Sequence, residues 1–165
     1  DGGAPDAALE ADVLRAVTVE IGRPPDAALA AEVRALVARA IAGPMGAVLR
    51  ADRYAAWACG TPEVRTEMPF AAVVDGTLLR GRMDRVVLGI RDGRVERAEV
   101  VDWKTGAGGL EGAALEERIA PYRLQMQAYR GALAAMFGLP AERVTAALAF
   151  VDRGEVVEVS GPLRS

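Results

Sequence analysis

The sequence predicts an α/β domain: a mixed central sheet built on a three-stranded meander, flanked by helices. Residues 1–60 and 113–137 carry apolar residues at helical spacing. Residues 63–104 change to strand-like runs separated by two tight-turn dipeptides, Asp75-Gly76 and Asp92-Gly93. Two further short apolar runs, Val144 to Val151 and Glu155 to Val159, follow the last helix and extend the sheet.

Taken in order, Asp6 is placed to cap a helix from Ala7 to Val19, with Leu9, Val13, Leu14 and Val17 on one face. Pro24-Pro25-Asp26 opens a second helix through Ile41, which Gly43-Pro44 ends. A shorter helical stretch spans Met45 to Cys59, anchored by Leu49, Tyr54 and Trp57. The first strand runs from Val64 to Val74, and Pro69 places it at a sheet edge. The second runs from Thr77 to Ile90 and the third from Val95 to Lys104. Gly106 to Gly112 reads as a flexible glycine-rich loop. It matches neither a dinucleotide fingerprint nor a P-loop, because Glu111 stands where the sixth glycine would fall and Trp103 precedes the lysine. The helix over 113–137 is expected to break near Pro121, with Leu124, Ala128 and Phe137 turned to the core.

The 165 residues are read as one domain, a helical part at 1–60 and a sheet-and-helix part at 63–159. With no starting Met, the chain is read as a fragment of a longer protein. No apolar run is long enough to span a bilayer, no secretory signal is seen, and a cytoplasmic setting is expected. One cysteine, Cys59, excludes an internal disulfide and a four-Cys cluster made by this chain, and reads as a small buried hydrophobe. Histidine is absent, which removes imidazole catalysis and imidazole ligands. Any metal must then be held by oxygen, favouring Mg or Mn over Zn. The net charge of −3 does not advertise nucleic-acid binding.

Lys104 is the one lysine in the chain; all other cationic side chains are arginine. It closes an apolar run as Asp102-Trp103-Lys104, so in a strand Asp102 and Lys104 share a face and Trp103 takes the other. A two-residue turn at Asp75-Gly76 sets Glu67 opposite Asp84. A turn at Asp92-Gly93 sets Asp102 beside Met83, and a one-residue bulge would set it opposite Asp84. Glu67, Asp84, Asp102 and Lys104 thus gather on one patch. Close acids are relieved by protonation, by pairing with Arg82 or Arg85, or by a divalent cation. The adjoining Asp-x-Lys favours the cation. On the last helix, Tyr122, Gln125 and Tyr129 share one face.

The ordered set Glu67-Met68-Pro69-Phe70, Gly81-Arg82-Met83-Asp84-Arg85, Val101-Asp102-Trp103-Lys104-Thr105-Gly106 and Tyr122-x-x-Gln125-x-x-x-Tyr129 resembles the RecB-like branch of PD-(D/E)XK nucleases. The nearest likeness is to the C-terminal nuclease domain of an AddA- or RecB-type helicase–nuclease subunit, over about residues 63–159. The resemblance implies a restriction-endonuclease-like fold and a Mg-dependent (or Mn-dependent) deoxyribonuclease of exonuclease type, serving double-strand-break repair and recombination. It implies that Asp84, Asp102 and the backbone carbonyl of Trp103 hold the metal and that Lys104 assists the attacking water. Gln125 and Tyr129 match the family's extra motif near the site and DNA and are counted with the catalytic set, with Glu67 and Tyr122 as possible additions. Implied partners are DNA, a helicase domain of the same chain and a second helicase–nuclease subunit; no membrane and no iron–sulfur cluster are implied. The family's metal-ligating histidine is missing from this chain. That departure supports an alternative, a non-catalytic DNA-binding or docking module that keeps the nuclease fold.

Overall fold

The computed structural model describes residues 7–159. The elements run α1 (Ala7–Ile21), α2 (Ala27–Ala42), α3 (Pro44–Ala47), a 3-10 segment (Ala51–Trp57), β1 (Glu63–Val74), β2 (Thr77–Arg91), β3 (Arg94–Lys104), α4 (Gly112–Phe137), a short 3-10 turn (Ala141–Arg143), β4 (Val144–Phe150) and β5 (Glu155–Glu158). The sheet order is β1-β2-β3-β4-β5, antiparallel except for the parallel β3–β4 pair. This is the expected mixed sheet on a meander. β1 is an edge strand, as Pro69 requires.

Both turns form where their sequences place them. Asp75 and Gly76 lie at φ 49° and 73°, and Asp92 and Gly93 at 51° and 75°, the left-handed pair that a tight hairpin turn requires. Asp26 caps α2 by accepting from the Leu29 amide. The proposed cap of α1, Asp6, lies outside the described residues.

Helices cover both faces of the sheet. α4 crosses one face, and its Ile119, Met126 and Leu133 pack with Val86, Leu88, Val100, Leu148 and Phe150. Each fully buried side chain of this size contributes roughly 1.5–3 kcal/mol. The other face is covered by Ala40, Met45 and Val48 against Val101 and Ala149, with Trp103 at the margin. Gly89 admits the 3-10 segment to this sheet, since a Cβ there would stand 2.8 Å from the Trp57 ring.

Three expectations are corrected. α4 continues through Pro121 without a break. Pro121 and Glu117 are both exposed, so water can serve the carbonyl that the proline leaves without a donor. Leu124 is 61% exposed, on the side of α4 turned away from the core. Met45 to Cys59 divides into α3 and the 3-10 segment, with Tyr54 buried and Leu49 43% exposed. Among the described residues, no helix is long and apolar enough to cross a membrane.

Candidate functional site

The site is built where β2 and β3 carry their acids. β1 pairs with β2 in the register the first turn dictates, Thr66 opposite Arg85 and Met68 opposite Met83. Glu67 between them sits at φ 51°, in the left-handed region, and is absent from the pairing. On β2, Met83 and Val86 enter the same core although they are three residues apart, so strict alternation slips between them. Asp84 lies at that slip. On β3 the pairing shifts by one residue between Gly89 and Ile90, leaving Glu96 as a bulge. Beyond it Arg85 pairs with Val101, a register that carries Asp102 to Asp84.

The Asp84 carboxylate accepts a hydrogen bond from the Trp103 amide at 2.9 Å. Asp102 is 2% exposed, and its Oδ2 forms an ion pair with Lys104 Nζ. Burial pushes the Asp102 carboxyl above its ordinary value. Lys104 pulls it down, and the nearby Asp84 raises it again. Lys104 Nζ also stands 4.8 Å from the centre of the Tyr122 ring.

α4 supplies the opposite wall. Gln125 Nε2 donates to Tyr129 Oη at 2.9 Å, and that hydroxyl donates to the Arg82 carbonyl at 3.1 Å. Tyr129 also packs edge-on to Phe70. Burial, together with the charge of Asp102 and Asp84, pushes its phenol up despite the Gln125 bond, so it stays a donor. The helix therefore grips the backbone of β2 two residues before Asp84.

Asp84, Asp102, Lys104, Tyr122, Gln125 and Tyr129 thus converge. Glu67 does not join the two aspartates. It is exposed and pairs with Arg82 at 3.5 Å, one of the relief routes open to a surface acid. Arg85 turns away and donates to the Val48 carbonyl. Trp103 presents its side chain to the other face, as expected from its position between Asp102 and Lys104.

A hard divalent cation fits this donor set. Asp102 is a buried carboxylate whose near neighbours are one ammonium and a second acid. All the donors are oxygen. Among the described residues no third His, Cys, Asp or Glu joins them. Mg accepts such a site, because it is commonly held by one or two carboxylates and keeps water or phosphate in the remaining positions.

Asp152 was not singled out by the sequence. Its Oδ2 accepts from the amides of Gly106, Ala107 and Gly108 at 2.9, 2.9 and 2.7 Å. Arg153 donates to the carbonyls of Ala107 and Leu110. The loop after Lys104 is therefore tied to the turn between β4 and β5, which corrects its reading as a flexible segment. Its one sequence signal was an acid directly after an apolar strand, too common to be specific.

A model of the PD-(D/E)XK nuclease superfamily matches residues 2–163. No curated protein matches the sequence. One similar solved structure, described as "Crystal structure of SSO0001", is 20% identical, with a TM-score of 0.38. The match covers 81% of this chain and 61% of that one, and at that score it supports no structural or functional argument. The family match spans nearly the whole chain, and the chain belongs to the PD-(D/E)XK nuclease superfamily.

Proposed function

We propose that this chain, as a member of the PD-(D/E)XK nuclease superfamily, is a metal-dependent deoxyribonuclease domain of the RecB-like branch. In this reading it cleaves DNA as the exonuclease of an AddA- or RecB-type helicase–nuclease in double-strand-break repair and recombination. Its partners are DNA, a helicase domain of the same chain and a second subunit, in the cytoplasm. The observation that carries the reading is the buried Asp102, set beside Asp84 and answered by the chain's one lysine.

Asp84 and Asp102 would hold Mg or Mn, with the Trp103 carbonyl as a further oxygen. The bound ion supplies Lewis acidity toward a phosphoryl oxygen and a more acidic water. The chain's own groups do the rest. The Trp103 amide fixes the Asp84 carboxylate. Lys104, beside the Tyr122 ring, stands where its ammonium would meet the negative charge that develops on the phosphate and would orient the incoming water. Gln125 and Tyr129 hold β2 still, and with it Asp84.

The second reading, a non-catalytic DNA-binding module, is favoured by the lack of a third ligating side chain among the described residues. Cleavage of end-labelled linear single-stranded DNA in Mg or Mn separates the two. Metal-dependent cleavage by the wild-type chain, lost in Asp102→Ala, is the expected result. DNA binding without cleavage would replace the nuclease reading with the second one.

A further inference from the structure

We infer that Arg118 is a phosphate clamp, gripping a phosphate of the DNA strand next to the one that Asp84, Asp102 and Lys104 address. The inference rests on the nuclease reading and adds a substrate contact that the motifs do not include.

Arg118 lies on α4 four residues before Tyr122, one helical turn away on the same face. Its Cζ stands 5.8 Å from the centre of the Tyr122 ring, the ring that also seats Lys104 at 4.8 Å. Two cationic heads therefore meet at one aromatic side chain at the mouth of the site. Their charges are balanced differently. Lys104 is paired with Asp102. Arg118 has no carboxylate partner within salt-bridge distance among the described residues. Its Nη2 donates to the Thr105 carbonyl over a long 3.4 Å. Arg123, five residues further along α4, is already engaged with Glu116 at 3.0 Å.

The loop after Lys104 passes directly beneath this guanidinium. Gly106 has φ 81°, and a Cβ built there would stand 2.9 Å from Arg118 Nη2. Asp152 holds the same three-residue stretch by its amides, so the floor under the guanidinium is fixed. An arginine fork with most of its donors unspent, laid across a glycine beside a phosphodiester site, suits the planar, two-point recognition of phosphate. A simple staple from helix to loop would need only the Thr105 bond and gains nothing from an unbalanced charge.

The test measures binding of labelled single-stranded DNA by the whole chain, in Ca in place of Mg, over a range of salt. Wild type, Arg118→Gln and Arg118→Lys are compared. Arg118→Gln should weaken binding by roughly tenfold, and the slope of log affinity against log salt should shrink by about 0.7. Arg118→Lys should keep the slope while losing part of the affinity. In Mg, Arg118→Gln should raise KM and leave kcat within about twofold. Unchanged affinity and slope in Arg118→Gln would overturn the assignment, and a fall in Tm alone would leave Arg118 as a staple. A wild-type chain that binds DNA but never cleaves it would sink the nuclease reading, while the binding comparison would still decide Arg118. A chain that does not bind DNA would end both.

Discussion

Glu99 and Asp102 lie three residues apart on β3, on opposite faces of the sheet, and both are nearly excluded from solvent, at 4% and 2%. Glu99 is surrounded by donors. Arg53 meets it at 2.9 and 3.4 Å, the Tyr54 hydroxyl donates to it at 2.7 Å, and Thr145 adds a weak contact at 3.5 Å. Asp102 has one ammonium and a second acid for company. A buried charge with its donors filled holds a fold together. A buried charge left partly unanswered keeps its electrostatic potential for something that arrives later. The same strand thus carries a structural carboxylate on one face and a candidate catalytic one on the other. Tyr54 reflects the first kind of site: burial and the Glu99 charge hold its phenol far above the ordinary value, so it remains a donor across the working range.

The sharpest way to break the comparison is Lys104→Ala. It should reduce kcat by about 10²–10³ or more while DNA affinity stays near wild type. Cleavage rates at saturating DNA check this, and an unchanged kcat would remove Lys104 from the site. Next come the two acids themselves. Glu99→Gln should cost about 3 kcal/mol of stability, because it strands Arg53 and Tyr54. Asp102→Asn, measured in chelator, should cost less than about 1 kcal/mol, because its charge is poorly repaid there. Denaturant melts of both variants test the contrast, and equal losses would refute it.

A smaller effect sharpens the picture at the loop. Burial pushes the Asp152 carboxyl up, but the amides of Gly108, Ala107 and Gly106 outweigh it, and the net shift is below the ordinary 3.8. A depressed folded pKa stabilises the protein above the unfolded value and loses that contribution as pH falls through the folded one. Asp152→Asn should therefore lower Tm near neutral pH by an amount that shrinks in acid, below about pH 4. A gap in Tm that stays constant with pH would count against the amide cradle.

The parts legible in the sequence are the local ones. Asp75-Gly76 and Asp92-Gly93 carry their own turn geometry, and the first hairpin register follows from the turn position alone. Asp102, Trp103 and Lys104 are sorted to their faces by strand alternation. What escaped depends on partners distant in the chain. Glu99 sits in an apolar strand, but its donors Arg53 and Tyr54 come from a 3-10 segment some 45 residues earlier, and no local pattern links them. The turn position places Glu67 opposite Asp84, and its neighbours pair in that register, yet its left-handed backbone takes Glu67 itself out of the ladder. The continuity of α4 through Pro121 and the exposure of Leu124 are tertiary outcomes that periodicity does not decide.

The bulge at Glu96 gives β3 one spare residue. A strand with a spare is asymmetric toward changes in length. Losing one residue between Val95 and Asp102 could be absorbed by flattening the bulge, with Asp102 still beside Asp84 and only the intervening side chains changing faces. Gaining one residue in the same stretch has no such outlet: it would require a second bulge, or it would shift Asp102 away from Asp84. Over sequence drift, this strand can shorten once without moving its carboxylate, and it cannot lengthen for free.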